Sequence, residues 1–180
     1  MHSISTNCCA LTKPLVLVGL MGVGKTTIGR RLAARFNIPF VDADHEIEVA
    51  AGLTIAEIFE RYGEAYFRDG ESRVIARLLD GTVKVIATGG GAFMHTATRQ
   101  RILQSATAIW IDAEINVLAE RVSRRETRPL LKNGRVHEVL RELAAVRNPV
   151  YALAPIHIKS QPVHQDVVVD KIIEALNTCP

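Results

Sequence analysis

The run Gly19-Leu20-Met21-Gly22-Val23-Gly24-Lys25-Thr26 fits the pattern G-x-x-x-x-G-K-[ST], a loop whose backbone cradles phosphate and which works only between a strand and a helix. Both neighbours are present. Leu15 to Leu20 is a short apolar run rich in branched residues, as a buried parallel strand requires, and Ile28, Leu32 and Phe36 recur every four residues behind the loop. Backbone N–H groups from Gly22, Val23, Gly24, Lys25, Thr26 and Thr27 are expected to converge on phosphate oxygens. Lys25 adds a point charge, and the Thr26 hydroxyl can reach Mg2+. The following helix aims its positive N-terminus at the same place. The segment predicts binding of a nucleoside triphosphate.

Length and composition narrow the rest. At 180 residues the expected organisation is one domain, 14–180, after a flexible N-terminal extension, 1–13. A net charge of only +3 suits a pocket for anions better than a nucleic-acid surface. Cys8, Cys9 and Cys179 lie near the ends and form no C-x-x-C, which argues for a reducing compartment and against a disulfide or metal framework. The first residues carry no basic segment followed by a long apolar stretch, so neither a signal peptide nor a membrane span is expected. A cytoplasmic monomer is the default expectation.

Along the chain, Phe40-Val41 reads as a second strand ending in Asp42-Ala43-Asp44. Thr54-Ile55-Ala56-Glu57 fits a capping box before a helical stripe, Gly63 marks a break, and a second helical pattern runs from about Glu64 to Leu79. Val83 to Ala87 forms a third strand that stops at Thr88-Gly89-Gly90-Gly91, and Ala108 to Ile111 a fourth. Val117 to Val122 suggests a helix leading into an arginine-rich loop, with a lid at about 123–135. Val136 to Arg147 reads as a helix, Ile156 to Ile158 as a last strand, and Val167 to Leu176 as a closing helix. Strands alternating with helices predict a three-layer α/β/α domain with a central parallel sheet of about five strands, similar to the nucleoside monophosphate kinases among phosphate-loop proteins. Ligands in such sheets sit beyond the carboxyl ends of the strands, where the phosphate loop, the aspartate pair and the triple glycine would all meet.

Phosphoryl transfer needs an acceptor hydroxyl in line with the γ-phosphate, cations to spread charge and a carboxylate to orient the nucleophile. Asp42 and Asp44, two residues apart at a strand end, would point the same way and could divide metal and substrate between them. The alternative makes them a solvated terminus with Asp44 capping the next helix. Arg68 fits either a functional role or a helical charge paired with Glu71 at i+3. Arg147 fits either a functional role or a cation favoured at a helix C-terminus. Arg121, Arg124, Arg125, Arg128 and Arg135 crowd fifteen positions, which suits a lid closing over triphosphate or, alternatively, a solvated face. The histidines show no ligand spacing.

Taken together and in this order, the phosphate loop, Asp42-Ala43-Asp44, Phe67-Arg68-x-x-Glu71, Gly89-Gly90-Gly91-Ala92, Arg128-Pro129-Leu130-Leu131 and Arg147-x-Pro149-x-Tyr151 with Ala154 resemble the shikimate kinase family across roughly Leu15 to Ala154. The resemblance implies transfer of the γ-phosphate of ATP to the 3-hydroxyl of shikimate, giving shikimate 3-phosphate and ADP on the route to aromatic amino acids. It implies Asp44 as substrate ligand and base, and Asp42 as a water-mediated Mg2+ ligand beside Thr26. Arg68 and Arg147 would grip the shikimate carboxylate. Gly90, with Gly91 beside it, would offer backbone to substrate, Arg128 would reach the phosphates together with Lys25, and Arg121 would lie against adenine.

Two stretches depart from the family pattern. Asp69-Gly70 is expected to interrupt the helix and leave Arg68 less rigidly held, since glycine there costs about 1 kcal/mol relative to alanine. Gln161 to Gln165 lacks an arginine common near the adenine. Gluconate kinase and other small-metabolite kinases share the loop but not the paired arginines with the triple glycine. A nucleotide switch would need a guanine-reading N-K-x-D, which is absent, and a nucleic-acid ATPase an aromatic-interleaved basic stripe.

Overall fold

A computed structural model describes residues 11–124, 135–160 and 164–178. The three cysteines, Arg125, Arg128 and most of the arginine-rich loop lie outside the described residues, as does most of the expected N-terminal extension. Leu11, at its end, already packs against the core, partly buried.

Five strands among the described residues form one parallel sheet: β1 (Leu15–Val18), β2 (Phe40–Asp42), β3 (Val85–Ala87), β4 (Thr107–Ala113) and β5 (Ile156–Ser160), in the order β2-β3-β1-β4-β5. All four β1 residues are buried, because a central parallel strand is covered on both faces. The edge strand β5 instead alternates, with Ile156, Ile158 and Ser160 inward and His157 and Lys159 outward. The switch in strand order at β1 opens the crevice in which ligands of such sheets bind.

Seven helices are described: α1 (Lys25–Phe36), α2 (Ala43–Ala51), α3 (Ile55–Leu78), α4 (Thr96–Ser105), α5 (Ile115–Ser123), α6 (Val136–Tyr151) and α7 (Gln165–Thr178), with a 3-10 turn at Ala92–Met94. Helix α1 packs with α7, while α3, α4 and α6 gather with the 3-10 turn. Ile28 and Leu32 bury the inner face of α1 and Val168, Val169 and Ile172 that of α7. The expected capping box at Thr54 and Glu57 is formed.

Gly63 does mark the expected break: at φ 78° and ψ 176° it is not helical, so α3 consists of two helical segments joined at a kink. Several boundaries differ from the sequence expectation. Helix α3 continues through Asp69-Gly70, which corrects the expected interruption: Phe67, Glu71, Val74, Ile75 and Leu78 keep one face buried across that point, and packing outweighs a propensity cost of about 1 kcal/mol. Helix α6 runs past Arg147 and through Pro149 to Tyr151, because the added turn places the Tyr151 ring fully inside the core. Helix α4 has little apolar periodicity, burying only Thr98 and Ile102, and escaped the periodic pattern.

Candidate active site

The donor half of the site grows from the β1–α1 junction. Gly24 caps α1 at φ 96°, a left-handed conformation that side chains disfavour. The Lys25 ammonium folds back over the loop and donates to the carbonyls of Gly19 at 2.7 Å and Leu20 at 2.9 Å. The Thr26 hydroxyl, one residue into the helix, donates to Asp42 Oδ2 at 2.8 Å. The first turn of α1, which follows β1, is thereby tied to the end of β2 across the strand that separates β1 from β2.

That intervening strand is β3, whose Ala87 stands in register with Leu17 on one side and Asp42 on the other. The three segments expected to meet therefore leave three neighbouring strands at one edge of the sheet. The aspartate pair does so differently from the strand-alternation expectation. Asp42 ends β2 and caps α2, its Oδ1 accepting the N–H of Asp44 at 3.1 Å. Asp44 lies in the first turn of α2, so Asp42 is the cap and Asp44 is released from that duty. A carboxylate in the first turn is also favoured by the helix dipole.

The triple glycine after β3 is shaped by space. A Cβ on Gly89 would lie 2.7 Å from Asp44 Oδ1 and 3.3 Å from Glu71 Oε1. On Gly90 it would lie 3.1 Å from Arg147 Nη1, and on Gly91 it would strike the guanidinium of Arg68, whose Cζ is 2.7 Å away. Three consecutive glycines thus admit four charged side chains, one each from α2 and α6 and two from α3, against one stretch of backbone. The structure thus brings Asp44, Arg68 and Arg147 together at this loop.

Arg68 is firmly held despite the neighbouring Gly70. It donates to Glu71 Oε2 at 2.6 Å and approaches Glu64 at 3.4 Å, and its guanidinium lies 5.0 Å from the Phe67 ring centre. Glu71 is 2% exposed. Burial pushes its carboxyl above the ordinary range, Arg68 and Arg147 pull it down, and the charge of Asp44 pushes it up. This residue was read from sequence only as a helical partner. Its place on the apolar stripe of Phe67, Val74, Ile75 and Leu78 was the available signal that it is buried. Tyr151, also assigned no role from sequence, donates its hydroxyl to the Gly90 carbonyl. Burial pushes this phenol up to about 12, with Arg147 beside it acting in the opposite direction.

Between the halves opens a cleft of about 320 Å3 lined by Gly22, Gly24, Lys25, Thr26, Thr27, Asp42, Asp44, Gly89 and Gly90, with Arg121, Arg124 and Gln165 at the nucleotide side. Val23 is buried beneath the loop, and its carbonyl accepts from Arg121 at 3.3 Å. Of the arginine cluster, Arg124 pairs with Glu120, and Arg135 approaches Glu138 at 3.6 Å. Arg147 does not end its helix, as had been expected. It sits one turn before the end, and its value lies in its position over Gly90.

The polar groups fit a magnesium ion of the kind that accompanies ATP. Among the described residues no cluster of three or more His, Cys, Asp or Glu side chains gathers to hold a metal. Mg2+ keeps waters and phosphate oxygens and needs only one or two protein groups. The Thr26 hydroxyl and the Asp42 carboxylate, meeting beside the phosphate loop, supply that number.

Known proteins resemble the chain over most of its length. The profile of a family described as shikimate kinase matches residues 21–177. A shikimate kinase from Bradyrhizobium diazoefficiens is 56% identical over 164 residues, covering 91% of this chain and 79% of the relative. One from Novosphingobium aromaticivorans is 54% identical over 170 residues, covering 92% and 88%. Among solved structures, shikimate kinase from Acinetobacter baumannii in complex with shikimate superposes with a TM-score of 0.87 at 34% identity, covering 93% of this chain and 96% of the other.

Proposed function

The chain belongs to the shikimate kinase family and is an ATP-dependent kinase that converts shikimate to shikimate 3-phosphate, and we propose that Asp44 is its base and Arg68 and Arg147 its carboxylate clamp. The observation that carries this division of labour is the packing of Asp44, Arg147 and Arg68 against Gly89, Gly90 and Gly91, of which Asp44, Gly89 and Gly90 line the phosphate-loop cleft. Two forked cations on one carboxylate fix a ring in orientation. A carboxylate on the adjoining side can then take the proton of a ring hydroxyl.

The steps follow from these positions. Shikimate enters with its carboxylate toward Arg68 and Arg147, its ring over the backbone of Gly90 and Gly91, and its 3-hydroxyl toward Asp44. ATP lays its phosphates on the N–H groups of Gly22 to Thr27, and the Lys25 ammonium exchanges its carbonyl partners for phosphate oxygens. Thr26 and Asp42 would hold Mg2+, which when bound would spread the charge of the phosphates. The 3-oxygen attacks the γ-phosphorus as its proton passes to Asp44, the bond from the γ-phosphorus to the β–γ bridging oxygen breaks, and ADP departs. Arg121 lies at the base side, and Arg128, outside the described residues, is assigned to the phosphates by the family motif. The lid expected over 123–135 lies mostly outside the described residues.

The proposal includes a monomer working in the cytoplasm. The cysteine usage, with no C-x-x-C, supports a reducing compartment, and among the described residues no helix is long and apolar enough to cross a membrane. A coupled assay of ADP release tests the reaction. Release should depend on shikimate and Mg2+, and an equal rate with gluconate or with no acceptor would overturn it.

A further inference from the structure

We infer that Tyr151 is a positioning residue for the acceptor, its hydroxyl fixing the height of the glycine loop on which the ring lies. The inference rests on the acceptor site proposed above. Arg147 and Tyr151 stand one turn apart on α6 and so share a face. The first places its guanidinium against Gly90, and the second gives its hydroxyl to the carbonyl of the same residue. One helix thus holds both the clamp and the backbone it closes upon.

The phenol is well placed for this work. Its ring is fully buried and braced between Phe93, at 6.4 Å on the 3-10 turn that follows the loop, and Trp110, at 6.0 Å on β4. The ring cannot swing to another acceptor, and a hydroxyl kept protonated donates at every working pH. Gly89 to Gly91 have no side chains with which to pack themselves in place, so this bond and the 3-10 turn, with the Thr88 ties to the Leu17 carbonyl at the loop's start, supply its restraint. The continuation of α6 through Pro149 then has a reason: stopping the helix at Arg147 would leave the loop without its anchor.

Tyr151→Phe keeps the ring and deletes the hydroxyl, removing its bond to the Gly90 carbonyl and its contact with Arg147. In the variant without ligands, amide hydrogen exchange over residues 88–92 should quicken about tenfold, the scale of one lost hydrogen bond, with α6 and β4 unchanged. KM for shikimate should rise by a similar factor, with KM for ATP and kcat within about twofold. Ile158→Val, a core change in β5, serves as a control for general loosening. A shikimate KM raised equally in Ile158→Val would overturn the inference, as would faster exchange without a KM change, a KM change without faster exchange, or both KM values rising together. Should the wild type fail to phosphorylate shikimate, the proposed function falls, while the exchange measurement still decides whether Tyr151 restrains the loop.

Discussion

Asp42 accepts the Thr26 hydroxyl with one carboxylate oxygen and the Asp44 N–H with the other, so a single side chain joins the donor and acceptor halves of the cleft. Asparagine caps helices as well as aspartate does, and Asp42→Asn therefore separates the charge from the cap. The variant should keep its melting temperature while needing about 10- to 100-fold more Mg2+ for half-maximal rate. A Mg2+ titration of the initial rate checks this.

Asp44 lines the cleft and is not the cap of its helix. Asp44→Asn should lower kcat by about 10²- to 10⁴-fold, the usual worth of a positioned base. The dissociation constant for ATP should stay close to the wild-type value, as calorimetry would report.

A helix glycine and a loop glycine should respond oppositely to alanine. Gly70 faces open space, and Gly70→Ala should stabilise the protein by about 0.5–1 kcal/mol with unchanged kinetics. Gly91→Ala would drive the Arg68 guanidinium from its seat, raising KM for shikimate at least about tenfold and costing stability, since Glu71 would lose its counter-charge. Chemical denaturation and steady-state kinetics on the pair distinguish these effects.

Glu71 carries a carboxyl raised above its unfolded value of 4.5, chiefly by burial. The folded state therefore binds more protons than the unfolded state between 4.5 and the folded value. Stability from this group falls as pH rises through that window and is level below it. Relative to Glu71→Gln, the wild type should thus lose stability as pH climbs above 4.5. Denaturation midpoints of both proteins across pH 4 to 8 measure the difference.

Much of this was legible in the chain because it rests on local chemistry. The phosphate loop declares its own strand and helix, and the all-buried β1 and the period of Ile28 and Leu32 follow from sequence pattern alone. Arg68, Arg147 and the triple glycine could be named through the family motif. Their mutual packing could not, because it depends on how α3 and α6 cross the loop. Helix α4 offered only Thr98 and Ile102 to the core, too weak a stripe to read. Gly70 misled because propensity counts local cost and misses the buried face on either side. Tyr151 was visible as a motif letter, but only the fold brings its hydroxyl to Gly90.

The clamp on the acceptor carboxylate is tested most directly by comparing kcat/KM for shikimate and its methyl ester in the wild type and in Arg147→Ala. The account expects the wild type to prefer shikimate about 100-fold, in keeping with charge-assisted hydrogen bonds, and Arg147→Ala to lose at least about tenfold of that preference. The same preference in both proteins would contradict it.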